Sequence, residues 1–323
     1  MRRRRRRPLA ILVLVLLAVG AASAGIVVGH EGDNGRSRDR ASVGQSQWRA
    51  RLGNDEREAA VRAGPPGIEF DGDTQVHVRF KRPPRAGLLL DVDSGQVLWS
   101  RKPLTSVPIA SLTKIMTALL VVDRIGPRAK TRISKAATKF RGSGVGVLPR
   151  GKKVPIEALL YGMLLPSGND AAVALAEAVA GSDRRFAKLM TRHAQELGLG
   201  CTRYVDSYGL RAGNQSCAAD LAALTRLAIH QPRIARIVRQ AHASIPFPIK
   251  GRRLDLRSTN PLLREPRYPG TIGLKTGYTD RAGHCLIAVA HRGDHTLAAI
   301  VLNSPNTRDQ TRRMLDTGFR ALL

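Results

Sequence analysis

Pro108-Ile-Ala-Ser-Leu-Thr-Lys-Ile-Met-Thr-Ala-Leu-Leu-Val-Val122 decides how this chain is read. Its apolar residues Leu112, Ile115, Met116, Leu119 and Leu120 recur at helical spacing, which turns one face toward a core. Pro108 resists continuation of an upstream helix, and Ser111 suits an N-cap or first-turn position. Ser111 and Lys114 stand three apart, so a helix stacks hydroxyl and amine on one face. Backbone N–H groups at a helix start favour developing negative charge. Hydroxyl, amine and anion-stabilising amides together make an acyl-transfer nucleophile. Ser-x-x-Lys alone equally describes a capping serine beside a solvated lysine, so the rest of the chain has to decide.

Upstream, Leu88–Asp91 and Gln96–Trp99 flank the turn Asp93-Ser-Gly95 and read as a hairpin. Downstream, to about Gln240, the pattern is mostly helical, over Ile156–Leu165, Ala171–Val179, Arg184–Leu197 and Asp220–Ile229. Beyond Gly251 strands return at Thr271–Lys275, Cys285–Ala290 and Thr296–Leu302, the last two joined by the turn Arg292-Gly-Asp294. Both of these last runs are apolar almost throughout, so both faces of their sheet should be covered. Met314, Leu315, Phe319 and Leu322 give a final helix over Asn306–Leu322. Strands therefore open and close the domain around a helical insertion. The fold class is α/β (α+β): an antiparallel sheet flanked by helices, plus an all-helical lobe. Ser111 falls at the join of the two, where clefts commonly bind ligands.

A length of 323 residues suits one large domain or two small ones. Hydrophobic content of 43% supports a sizeable core, and aromatic content of 4% makes its packing aliphatic. The six arginines Arg2–Arg7 precede an uncharged stretch, Leu9–Val28, and Ala22-Ser-Ala24 fits a small-x-small cleavage pattern. That describes an export signal, although the apolar stretch is also long enough to span a bilayer uncleaved. Residues 1–29 are thus a signal peptide or an N-terminal membrane anchor, and the body is exported in either case. Residues 30–73, rich in Gly, Arg, Asp and Ser, read as a disordered spacer with one short helix at Asp55–Arg62. The folded domain is expected over 74–323.

The formal charge is +28, or +22 once the leader's arginines are set aside (28 less 6). Such a balance fits nucleic acid, membrane lipid or an anionic wall polymer. Export and the lack of a nucleic-acid motif argue against the first, and scattered arginines are equally what an Arg-biased genome produces. Exported proteins keep disulfides. Cys201 and Cys217, 16 apart with turn residues Asp206-Ser-Tyr-Gly209 and Gly213-Asn214 between them, are expected to pair. Cys285, in an apolar strand, reads as a buried free thiol. The cysteines and histidines show no metal-ligand spacing, so no metal is expected.

Two further signals complete the first. Pro166-Ser-Gly-Asn169 joins two helices of the helical lobe, and Lys275-Thr-Gly277 ends the first returning strand. Ser-x-x-Lys, Ser-x-Asn and Lys-Thr-Gly then occur in that order, with Ser167 lying 56 residues after Ser111 and Lys275 lying 108 after Ser167. Each is weak alone; together, in these settings, they are specific. They resemble the motifs of penicillin-binding proteins and serine β-lactamases. Pro108–Ala118, Leu165-Pro-Ser-Gly-Asn-Asp-Ala-Ala172, Gly273-Leu-Lys-Thr-Gly-Tyr-Thr279 and Ala282-Gly-His-Cys-Leu286 narrow the resemblance to the serine D-alanyl-D-alanine carboxypeptidases, the low-molecular-mass penicillin-binding proteins, over about residues 74–323. One departure is that the family's Asn-Pro-His-Gly-Leu segment reads Asp206-Ser-Tyr-Gly-Leu210 here. Another is that the C-terminal β-domain and membrane-binding helix of many members have no counterpart, which leaves the N-terminal segment as the expected anchor.

The resemblance implies a β-lactamase/transpeptidase-like fold with a five-stranded sheet. It also implies a peptidoglycan stem peptide as substrate, β-lactam antibiotics as covalent inhibitors and no cofactor. It assigns Ser111 as nucleophile, Lys114 as base and Ser167 as proton relay to the leaving D-Ala. Asn169 would bind the substrate backbone and help hold Lys114. Lys275 and Thr276 would take the terminal carboxylate, Gly277 would let a substrate strand approach, and the amides of Ser111 and Tyr278 would form the oxyanion hole. A β-lactamase is the nearest rival, but Glu177 and Glu196 lie on helical patterns and Glu265 lacks the expected surroundings, so slow deacylation is expected. A D,D-endopeptidase shares the same motifs. A non-catalytic wall-peptide module would have lost one of them.

Overall fold

The computed structural model describes residues 65–72, 75–140 and 143–323. The leader, the Asp55–Arg62 helix and the spacer up to residue 64 lie outside the described residues. The first strands, β1 (Ala86–Asp91) and β2 (Val97–Arg101), make the expected hairpin. Its turn closes on Asp91, whose carboxylate accepts from the amides of Asp93 and Ser94 at 3.0 Å each. After a short β3 (Val107–Pro108) comes a 3-10 turn, Ala110–Thr113, which runs directly into α1 (Lys114–Arg124). Then follow β4 (Lys130–Arg132), α2 (Lys135–Thr138), β5 (Lys153–Pro155), α3 (Ile156–Leu164), α4 (Asn169–Ala180) and α5 (Asp183–Glu196). Next come β6 (Gln215–Ser216), α6 (Ala218–His230), α7 (Pro232–Val238) and the hairpin β7 (His242–Pro246)–β8 (Arg253–Arg257). The chain closes with β9 (Thr271–Thr279), β10 (Gly283–Arg292), β11 (His295–Leu302) and α8 (Thr307–Leu322).

The main sheet has five antiparallel strands in the order β2-β1-β11-β10-β9, so first and last strands of the chain meet at its centre. Alternation along the central strands builds two cores. Leu88, Leu90, Ile287, Val289, Ala298 and Ile300 face the helical lobe. Leu89, Leu286, Ala288, Leu297, Ala299 and Val301 face the other way, where Met314, Leu315 and Phe319 of α8 cover them. Helix α8 is started by Asn306, whose side chain accepts from the Asp309 amide at 3.1 Å. Helix α1 runs through the lobe with Ile115, Met116, Ala118, Leu120 and Val121 buried, while Leu119 is only half-buried.

The structure departs from the sequence reading in four places. Residues 65–72, assigned to the spacer, contact the domain: Ile68 is buried and Glu69 pairs with Gln96. Apolar residues too few to signal a core of their own therefore extend one already formed. Strand β9 continues to Thr279, so Lys275-Thr-Gly277 lies inside a strand rather than at its end, because β10 offers partners as far as Gly283. The stretch read as helical up to Gln240 also contains the small β4–β5 ladder. Finally, Ser111 does not cap α1. It sits in the 3-10 turn, and neither that turn nor α1 has a side-chain cap.

Candidate active site

The turn that carries Ser111 is pressed against the edge strand. A Cβ added at Gly277 would lie 2.9 Å from the Ile109 carbonyl oxygen and 3.1 Å from the Ser111 nitrogen. A side chain there would push the turn away, so the bare glycine brings the serine's amide against β9. The missing side chain of Gly277 thus faces the turn that carries Ser111. Behind the turn, Gly209 has φ of +92°, and a Cβ there would collide with the Ala110 carbonyl. Ala110 itself has φ of +47°. Ser111 is thus gripped between an edge strand and the loop 206–211.

Lys114 is fully buried at the first turn of α1. Its Nζ lies 2.8 Å from Ser111 Oγ, 2.6 Å from Asn169 Oδ1 and 2.8 Å from the Tyr208 carbonyl. Asn169 opens α4 and is itself buried. Burial, reinforced by the nearby Lys275 ammonium, holds the Lys114 amine well below its ordinary range, against the opposing charges of Asp206 and Asp170. A neutral amine has two N–H groups and one lone pair. The Asn169 and Tyr208 oxygens accept only, so in the neutral form they would take both N–H groups and leave the lone pair to face the Ser111 hydroxyl.

The second lysine lies on β9. Lys275 is also buried, and its Nζ donates to Ser167 Oγ and to the Thr276 carbonyl, each at 2.9 Å. Burial pushes its pKa down from 10.5 to about 7. Ser167 lies in the loop between α3 and α4 with φ of +66°, a left-handed conformation that a serine holds only under constraint. Thr276 Oγ1 shares a 2.6 Å hydrogen bond with Thr259 Oγ1. The Tyr278 side chain is exposed, stacks on His284 with ring centroids 4.4 Å apart and donates to Asp280. The structure thus brings Ser111, Lys114 and Asn169 into one hydrogen-bonded cluster and Ser167 and Lys275 into a second beside it.

Sequence reasoning missed three contributors. The Tyr208 carbonyl receives Lys114, and a main-chain oxygen carries no side-chain signal. Thr259, which partners Thr276, sits in an irregular Ser-Thr-Asn loop. Asp206 supports the Tyr208 turn; its one signal was the departure from Asn-Pro-His-Gly-Leu. Asp170, next to Asn169 in α4, is engaged elsewhere: it accepts from the amides of Val145, Gly146 and Ala171. Away from these clusters, Cys201 and Cys217 form a disulfide with Cα atoms 5.6 Å apart, and Cys285 is a buried free thiol.

Fold and cluster together define a DD-transpeptidase-type domain built around a serine–lysine pair. The crystal structure of the Streptomyces K15 DD-transpeptidase superposes with a TM-score of 0.70 at 28% identity, over 76% of this chain and 100% of that one. D-alanyl-D-alanine carboxypeptidase DacF of Bacillus subtilis is 33% identical over 244 residues, covering 73% of this chain and 62% of DacF. DacB2 of Mycobacterium tuberculosis, also a D-alanyl-D-alanine carboxypeptidase, is 34% identical over 246 residues, covering 73% of this chain and 82% of DacB2. The profile of the D-alanyl-D-alanine carboxypeptidase family matches residues 81–306, and the chain belongs to that family.

Proposed function

We propose that the chain is a serine D-Ala-D-Ala carboxypeptidase acting on peptidoglycan stem pentapeptides. The observation that carries this reading is Lys114, buried with no counter-ion in hydrogen-bond contact among the described residues and 2.8 Å from Ser111 Oγ. Its lone pair takes the Ser111 proton as Oγ attacks the carbonyl of the penultimate D-Ala. The developing oxyanion is met by the amides of Ser111 and Tyr278, the first of which Gly277 leaves uncovered. Ser167, joined to Lys275 at 2.9 Å, passes a proton to the leaving D-Ala nitrogen. Lys275, charged when it meets an anion, and Thr276 bind the terminal carboxylate on the edge of β9. Asn169 holds Lys114 and contacts the substrate backbone. Water then hydrolyses the acyl-enzyme.

The same chemistry makes β-lactams acylating inhibitors. Slow deacylation would distinguish the chain from a β-lactamase, and it is expected because Glu177 and Glu196 lie on the helices α4 and α5. Among the described residues no helix is long and apolar enough to cross a membrane. Export by residues 1–29, with the residues up to 64 as a spacer and the N-terminal segment as the membrane contact, completes the proposal. The deciding experiment incubates the protein with a pentapeptide ending in D-Ala-D-Ala and measures free D-Ala. Release that disappears in Ser111→Ala supports the reading. Sustained turnover of a chromogenic cephalosporin without D-Ala release would overturn it.

A further inference from the structure

The loop that receives Lys114 is organised by one side chain that the mechanism above does not use. The Asp206 carboxylate accepts from three backbone amides of a single turn: Tyr208 at 3.0 Å, Gly209 at 2.5 Å and Arg211 at 2.8 Å. Asp206 is fully buried. A side chain that accepts from three amides satisfies them best as a carboxylate. The turn it gathers aims the Tyr208 carbonyl at Lys114 Nζ, 2.8 Å away, and sets Gly209 against Ala110, the residue before the serine. Its other supports come from different elements. Thr117 of α1 donates to the Ser207 carbonyl at 2.7 Å, and the Ser207 amide donates to Asp183 at 2.9 Å. Asn214 accepts from the amides of Val205 and Asp206.

We propose that Asp206 is the positioning residue for the Lys114 base. Its carboxylate shapes the turn that holds the amine's second N–H, and its negative charge is placed to favour the protonated amine over the free base. The inference rests on the serine–lysine reading above and assigns a role that none of the three motifs contains. Two roles are separable because geometry acts at every pH, whereas charge moves a titration. The charged groups facing Lys114 are Lys275 from β9, Asp170 from α4 and Asp206 from the loop. Lys275 favours the neutral amine, and the two carboxylates favour the ammonium. Asp206 in turn faces Asp183 at the start of α5, whose charge Arg211 favours. Removing the Asp206 charge therefore leaves Lys275 less opposed, and Lys114 deprotonates at lower pH.

The test has two readouts on Asp206→Asn. The first is the pH dependence of the second-order rate of acylation by a fluorescent penicillin. The second is the titration midpoint of Lys114, followed by carbon NMR of labelled lysine without any ligand. An amide oxygen still accepts from Tyr208 and Gly209, but its nitrogen cannot accept from Arg211. The expected result is a Lys114 midpoint and an acidic limb that both move to lower pH than in wild type. The plateau rate should fall by about tenfold, from the loosened turn. A midpoint and limb unchanged from wild type overturn the inference. A midpoint that moves in a protein never acylated at Ser111 leaves the inference standing and sinks the carboxypeptidase reading instead. Asp206→Glu is the second variant and covers failure of the first to fold. It keeps the charge and displaces it by one methylene, so its limb should stay in place while its rate falls. A limb that shifts, or an undiminished rate, overturns the proposal.

Discussion

Replacing Lys275 by Met should change stability in a way whose sign depends on pH. In the folded protein Lys275 is buried, and its pKa is pushed from 10.5 down to about 7. Forcing the charged form into that site therefore opposes folding by on the order of 5 kcal/mol at acid pH. At pH 7 the amine is about half protonated, and about 4 kcal/mol of this remains. Methionine fills a similar volume without charge, but it withdraws the donor from Ser167 Oγ and from the Thr276 carbonyl. At about 1 kcal/mol for each lost hydrogen bond, the variant should be about 2 kcal/mol more stable than wild type at pH 7. The folded pKa is the lower of the two, so the unfolded chain binds more protons between about pH 7 and 10.5. Wild-type stability therefore rises with pH through that window, by a little over 1 kcal/mol per unit from this residue. The advantage of the variant should shrink at the same rate, vanish near about pH 9 and reverse by about pH 10. Urea unfolding of both proteins at several pH values measures the difference, and the contributions of surface lysines cancel in it. A stability difference that stays flat from neutral to alkaline pH would falsify the reasoning, since Lys275 would then keep its proton in the fold.

Three further predictions concern the site, and a fourth the disulfide. Ser111→Ala should abolish penicillin labelling, and Lys114→Ala should reduce it by about a thousandfold with an unchanged circular dichroism spectrum; wild-type labelling in Lys114→Ala would remove it as the base. Gly277→Ala should slow acylation by at least about tenfold and destabilise by about 1–3 kcal/mol, because its Cβ would meet the Ile109 carbonyl at 2.9 Å; unchanged kinetics would show that the turn yields freely. KM for a peptide with a free terminal carboxylate should rise about tenfold per pH unit above about pH 7, as Lys275 loses its proton, while the same peptide amidated at its C-terminus should show no such limb. Cys201→Ser should lower stability by about 3 kcal/mol, the value for a loop of this length, and an unaltered denaturation midpoint would mean that the Cys201–Cys217 bridge contributes nothing.

What could be read in the sequence follows signal strength. Long amphipathic runs placed α3 to α6 and α8 within a few residues, and the uninterrupted apolar strands announced a sheet covered on both faces. Short ladders escaped. Strand β8, Arg253-Leu-Asp-Leu-Arg257, has the required alternation, but five residues are too few to distinguish it from chance. Thr276-Gly277 reads as a strand end because glycine is rare in strands, and only the β10 ladder makes that position extended. The residue types of the site were legible because Ser-x-x-Lys, Ser-x-Asn and Lys-Thr-Gly keep chemistry at local spacings. Their mutual contacts span 55 and 108 residues, and what closes those distances is the fold.

That Ser111 takes the first-turn place rather than the cap has a consequence for its chemistry. A capping serine spends its oxygen accepting an amide N–H of the first turn, and such an oxygen is a weaker nucleophile. Here the turn is 3-10, the cap positions carry no side-chain bond, and Ser111 Oγ lies 2.8 Å from Lys114 Nζ and 3.5 Å from the Tyr208 carbonyl. The amide of Ser111 is likewise kept clear, because the strand opposite it carries a glycine. The arrangement is locally unfavourable in several respects: two buried amines, positive φ at Ala110 and Ser167, and an uncapped helix start. Each can persist only because a rigid neighbour imposes it. The edge of a sheet packed on both faces holds Gly277 and Lys275, and α1 is enclosed by the lobe core. Substitutions that soften those cores far from Ser111, such as Leu90→Ala, should therefore lower acylation before they unfold the protein. The strained turn would relax first.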